Sequence, residues 1–417
     1  MKLNLLSVLL TGGILLGGYS TLSAQRFTSK GLKKGANVSL NITSKKKSPQ
    51  RTYVNLGLFS NFTCLNGFSL NAISSLQHYN AYGMQVTGFA NITGLKSTGF
   101  QLAGITNVTG HRACGAIFAG LMNVSGTSAY GLVASGLGNI SGGDIKGMGI
   151  SGLLNIGGKD TRGLMIGGLG NVAGEVQAGL AIGGLTNVSG ESSRGVQITS
   201  LLNVAGHSNE GWQLAGVGNV TVTNKGIQTA AFNFSADNRG VQLGVGNVNT
   251  GGKKGIQIGL VNVSTDSCAH QIGCVNIQPQ TRIQLLVSGG NTNKGNVAVR
   301  FKNKYTYTQF GAGVYYLGTD KDFSVSASYR TGIYYSLTPR LDISADIGFY
   351  HIESLDNKTS HGYPARMYAL EPRVNLEYSI TRKFGLFASG GYNWTRTYKG
   401  NHAFDDKGVF EVGMVLF

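Results

Sequence analysis

Long apolar runs are missing from this chain: after the first two dozen residues, nothing reaches the roughly 18 consecutive apolar residues of a membrane helix. A closed barrel is then the only way left for it to cross a hydrocarbon core. Proline is nearly absent, 5 in 417 residues, and Asp, Glu, Lys and Arg together make up only 13%. Such a chain is too apolar for disorder. Its 65 glycines follow no Gly-X-Y period, which excludes collagen. Cysteine is limited to Cys64, Cys114, Cys268 and Cys274, too few for a disulfide framework. Cys268 and Cys274 stand close enough in sequence for one disulfide, and packed free thiols satisfy the same spacing. The pattern Cys268-Ala-His270-Gln-Ile-Gly-Cys274 matches no zinc motif.

What is present begins with a leader. Lys2 is a charged start, Leu3 to Leu16 is a short apolar core, and Leu22-Ser23-Ala24 offers a small-residue cleavage site. Residues 1–24 read as a secretory signal peptide, so the mature chain is expected to start near Gln25 in an oxidising compartment. Residues 25–52 form a basic linker carrying Lys30, Lys33, Lys34, Lys45, Lys46, Lys47 and Arg51, much of the formal charge of +17. The plain reading is a solvated segment. The sharper one is contact with anionic lipid head groups or lipopolysaccharide phosphates. Nucleic acid is not an expected partner, given export and the lack of a recognition helix.

Residues 53–280 are a repeat array. Asn recurs every 16 residues at Asn91, Asn107, Asn123, Asn139, Asn155, Asn171, Asn187, Asn203 and Asn219, then at Asn233, Asn247, Asn262 and Asn276 with steps of 14 or 15. The unit reads Gly-x-Gln-aliphatic-small-Gly-aliphatic-x-Asn-Val/Ile-Ser/Thr-Gly plus four polar residues. Gly195-Val-Gln-Ile-Thr-Ser-Leu-Leu-Asn-Val-Ala-Gly206 is a typical copy, with His207 to Glu210 as its polar turn. A unit this short and this rich in Gly and β-branched residues is no helix pair, so neighbours must stack. In a β-solenoid each unit is one coil, the Asn side chains form a ladder, and thirteen coils at roughly 4.8 Å make a rod about 60 Å long. In the alternative, each unit is one strand of a large barrel. Regular alternation would then put Leu169, Leu185 and Leu201 opposite Leu164, Leu180 and Val196. A bend at the Gly pair instead turns both sets into one core, and few repeats carry membrane aromatics; the solenoid is preferred. The 14- and 15-residue units weigh against it, since Gly255 to Val263 reads as an unbroken strand. Gln85, Gln101, Gln197, Gln213, Gln228, Gln242 and Gln257 form either an amide ladder or a flat binding surface.

These units resemble a bacterial surface-repeat family built on Gly-x-Gln-x-x-Gly-x-x-Asn, over roughly residues 83–278. The resemblance implies an envelope protein and says nothing about activity.

Residues 281–417 change to longer alternating segments rich in Tyr and Phe. Leu341, Ile343, Ala345, Ile347 and Phe349 share one face and Asp342, Ser344 and Asp346 the other. Eight strands are predicted, at 282–288, 295–303, 306–317, 322–337, 340–353, 365–380, 384–396 and 409–417, in an antiparallel up-and-down barrel of outer-membrane type. Its lumen should hold Arg300, Lys302, Arg330, Asp342, Asp346, Arg373 and Glu377, paired into a plug rather than lining a channel. Phe417 resembles the aromatic last residue read by the bacterial barrel-insertion machinery. With eight strands both barrel ends lie on the periplasmic side, which places the repeats there too.

The sequence thus predicts an all-β, non-enzymatic protein of a Gram-negative outer membrane or envelope, with a structural or adhesive role. Its partners would be outer-membrane lipid, the insertion machinery and an envelope or host ligand. A porin-like transporter is the alternative. No catalytic set, metal site or cofactor is expected. Gly168-Leu-Gly170 and Gly216-Val-Gly218 are products of the repeat, the Asn-x-Ser/Thr triplets are ladder positions, and Gly142-Gly-Asp144 is a lone fragment of a calcium-binding β-roll motif that does not recur.

Overall fold

A 16-residue unit with two short β segments and glycine at its bends has one way to pair every backbone group, by winding each unit directly onto the one before it. The computed structural model describes residues 38–41, 51–251, 254–317, 322–354, 366–398 and 403–416. The leader, most of the basic linker and Phe417 lie outside the described residues. The repeats form a parallel β-solenoid of about 14 turns. In a typical coil Lys96–Ala103 and Thr106–Thr109 are joined by a bend at Gly104-Ile105. Each strand pairs in parallel with its counterpart one unit on, as in Gly99 with Gly115 and Asn107 with Asn123. The bends are laddered as well: Leu121 N donates to Ile105 O at 2.9 Å, and Leu137 N to Leu121 O at 2.8 Å.

Glycine is required at two places. The long strand kinks at Gly83 and its equivalents through Gly195, where φ lies between +100 and +122°. At the Gly88–Gly104 bend the coils approach so closely that a Cβ on Gly104 would lie 2.0 Å from Gly88 O. The period shortens to 15 and 14 where this kink is replaced. Leu202–Asn209 runs straight through the segment read as a polar turn at His207, and Asn209 turns the corner with its own side chain. Ile256–Ser264 is the unbroken strand its sequence suggests, yet it pairs in parallel with both neighbouring coils.

The single large barrel is therefore excluded. So is a core built from both aliphatic sets. Leu169, Leu180, Leu185 and Leu201 are all exposed, between 37 and 44%, with Leu164 and Val196 half-buried. The inward positions hold Asn, Gln, Ser, Thr and Ala instead. The physical reason is width, because two short strands and two tight bends enclose a lumen too thin for Leu on every inward position.

Eight antiparallel strands close the second unit: Arg282–Gly290, Asn293–Lys302, Thr306–Leu317, Asp322–Thr338, Leu341–Ser354, Arg366–Ser379, Phe384–Thr397 and Ala403–Leu416. The first pairs with the last, Leu285 opposite Leu416. The end where Arg282 enters and Leu416 leaves carries the turns 303–305, 339–340 and 380–383. Ser354 and Arg366, where the fifth strand ends and the sixth begins, lie at the other end. The final coil meets the short-turn end, where Asn303 Nδ2 donates to Asn276 O at 3.2 Å. The disulfide considered for Cys268 and Cys274 is not formed; all four cysteines are free thiols.

Candidate functional site: the charged lumen and the repeat faces

Alternation along the barrel strands sends one side chain in two inward, and the inward set is charged. Near the short-turn end Arg300 donates to Glu377 at 2.6 Å and, through Nε, to Gln284 at 2.8 Å. Lys302 lies 2.6 Å from Asp342 and 3.3 Å from Glu377. Deeper in, Arg330 pairs with Asp346 and, at 3.0 Å, with Glu371. Arg373 pairs with Glu371 and Glu411. Tyr350 Oη accepts from Arg330 at 2.8 Å and Arg373 at 3.2 Å, and Asn393 Nδ2 donates to Glu371 at 3.0 Å. Beyond this layer Tyr315, Tyr350, Ile352, Met367 and Ala369 pack into a buried apolar cluster.

All seven charged lumen residues expected from the sequence thus enter one of two ion-pair networks. Glu371 and Glu411 were missed, although Glu371 shares inward parity with the expected Arg373; Glu411 shares it with Val409 and Val415, which the structure buries. The aromatic layer was missed as well. Each of these charged side chains has a counter-ion within the barrel, as buried charges require.

Inside the solenoid the Asn series forms one continuous ladder. Asn155 Nδ2 donates to Asn171 Oδ1 at 2.8 Å and to Ile166 O at 2.8 Å, and its own Oδ1 accepts from Asn139 at 2.8 Å. The same bond repeats from Asn91 to Asn107 and, at the far end, from Asn262 to Asn276. The Gln series is buried too, so it is a ladder and not a binding surface. Its amides donate in the opposite sense, Gln101 to Gln85 at 2.9 Å and Gln257 to Gln242 at 2.9 Å. Between Gln101 and Gln197 the Gln position is taken by Gly149 and by Ile117, Val133, Met165 and Ala181, which belong to a buried apolar cluster. Met165 fits because its neighbours are Gly149 and Ala181; a Cβ on Gly149 would lie 2.8 Å from Met165 Sδ. A second Asn ladder, unforeseen, runs Asn209 to Asn224 to Asn238 at 2.9 Å per step.

Outside, the coil has three sides. The strand segment after each kink glycine, the bend that follows, and the short strand carry outward Leu, Ile, Val, Phe and Met. The remaining side carries the charges, paired along the axis: Arg194 and Lys225 both reach Glu210, at 3.0 and 2.9 Å. The Lys225 ammonium, helped by Arg194, holds the Glu210 carboxyl below the usual carboxylate range. Burial pushes the Asp144 carboxyl up, but Lys146 at 2.6 Å outweighs it and the net shift is downward. Among the described residues no group of three His, Cys, Asp or Glu side chains could hold a metal.

No protein-family model and no curated protein matches the chain. Solved structures similar to it include the N-terminal β-barrel domain of Pseudomonas aeruginosa OprF. It is 16% identical, with 33% of this chain and 98% of that one covered, at a TM-score of 0.25. A de novo designed transmembrane β-barrel is likewise 16% identical over 33% of this chain and 95% of its own, at a TM-score of 0.22. Scores this low carry no weight, and the barrel is read from its own residues.

Proposed function

We propose that this is an outer-membrane protein of a Gram-negative envelope whose barrel is an anchor and whose solenoid is a non-enzymatic structural or interaction module. One observation carries the reading: the barrel is apolar outside and ion-paired inside. Ile333, Val374, Leu376, Leu386, Phe410 and Val412 are exposed on its outer wall, while Arg330, Glu371 and Arg373 are buried within. That is the inverse of a water-soluble barrel and the arrangement lipid demands. The filled lumen favours an anchor over the porin-like alternative.

An even strand number returns both barrel ends to the short-turn side, which in outer-membrane barrels faces the periplasm. The solenoid then lies in the periplasm, contrary to the surface location implied by the repeat resemblance. Signal-peptide export and barrel insertion through Phe417 belong to the same proposal. The test is fractionation of cells expressing the full chain, followed by planar-bilayer recordings of the purified protein. Recovery in the outer membrane without steady conductance is expected. A stable open channel would overturn the anchor reading in favour of a pore.

A further inference from the structure

Among the described residues, every Asp, Glu, Lys and Arg between residues 84 and 277 sits on one side of the coil or at the bend beside it. None occupies the other two sides or the ridge between them. The ridge is a row of single outward aliphatics, Leu121, Leu137, Leu153, Leu169, Leu185 and Leu201, each more than a third exposed. The two flanks meeting there continue it with residues such as Ile150, Leu180, Val220 and Phe234. A water-exposed apolar patch on a monomer rarely exceeds a few hundred Å². Here it runs the length of about 14 turns.

We propose that the solenoid lies along the periplasmic leaflet of the membrane that holds the barrel, with the leucine ridge and both flanks in lipid and the charged side facing water. The inference rests on the barrel being membrane-embedded. Three observations select lipid as the occupant. The apolar surface is a wedge of two sides and an edge; a symmetric contact with a second copy through one flank leaves the other bare, whereas lipid covers both. The backbone N–H groups along the ridge are bonded coil to coil, for example Leu153 N to Leu137 O at 2.9 Å and Leu169 N to Leu153 O at 2.8 Å, which is what hydrocarbon demands of a donor. The apolar surface also reaches the barrel: Ile272 of the last coil is 63% exposed and Ile283, in the first strand, 60%. At roughly 4.8 Å per turn the rod is about 65 Å long, twice the roughly 30 Å hydrocarbon core, so it lies along the bilayer and does not cross it.

The two tryptophans make the test direct. Trp212 stands exposed on a flank and Trp394 on the outer wall of the barrel. Full-length Trp394→Phe and Trp212→Phe variants, each keeping one tryptophan, are reconstituted into phosphatidylcholine vesicles with or without brominated acyl chains. Retention of the β circular-dichroism spectrum checks the fold of each. Strong quenching of Trp212 alongside quenching of Trp394 is the expected result. Quenching of Trp394 alone overturns the inference and leaves the anchor standing; a blue-shifted, unquenched Trp212 would assign the flank to a second copy. If neither residue is quenched, the anchor reading falls as well.

Discussion

An asparagine facing into a coil meets an identical asparagine one turn up and one turn down, and this makes a polar interior tolerable. Each Nδ2 finds an acceptor ahead and a main-chain carbonyl beside it, so the cost of burying an amide is met by bonds strengthened in a low dielectric. Asn155→Ala leaves Asn171 Oδ1 without its donor and removes an acceptor from Asn139. It should cost about 2–4 kcal/mol in denaturant unfolding of the detergent-solubilised chain. The exposed charges are different. Because the folded pKa of Glu210 is depressed, its contribution is present above the ordinary carboxylate range and fades as pH falls through the lowered value. Glu210→Gln should abolish that acid-side loss, which pH-dependent unfolding would show as under about 1 kcal/mol. The Asn ladder was legible because a strict 16-residue recurrence has few other uses. Which alternating set faces inward was not, since alternation separates Gln197 from Val196 and Ile198 without saying which side is enclosed.

Coils are held in register by glycine. At Gly147 φ is +114°, and a Cβ would sit 2.4 Å from Gly131 O. Gly147→Ala therefore strains its own backbone and pushes on the coil below. A loss of at least roughly 1–3 kcal/mol is expected, with hydrogen-exchange protection falling first in residues 128–167. The second Asn ladder explains why the shortened units near Asn209, Asn224 and Asn238 remain coils; that was hidden because Gly211, Gly226 and Gly240 continue the glycine series of the regular coils. Barrel strands were easier to place. Predicted and observed bounds agree within a few residues, since an alternation such as Leu341 to Phe349 with Pro and Lys turns beside it has one reading. The last strand starts earlier than predicted, at Ala403, because pairing to Phe384–Thr397 extends it past the apolar part.

The whole molecule inverts the usual placement of polar and apolar residues twice, once in the barrel and once in the solenoid. In the barrel the inversion could be read from length and alternation alone. In the solenoid it could not, because the aliphatic residues look like a core until the narrow coil is seen to have no room for them. The lumen network should behave as a unit. Arg373→Ala leaves Glu371 and Glu411 buried without this partner and should cost about 3–5 kcal/mol, read as a lower melting temperature in detergent. The central claim is that amides line the inside of the repeat rod and aliphatics its outside. Its most direct test is hydrogen exchange across residues 155–189 in two full-length variants, Leu169→Gln and Asn171→Leu, in detergent micelles. The structure predicts near-native protection for Leu169→Gln and collapse of protection for Asn171→Leu. The reverse pattern would mean that the leucines are the core, and the inverted solenoid would be wrong.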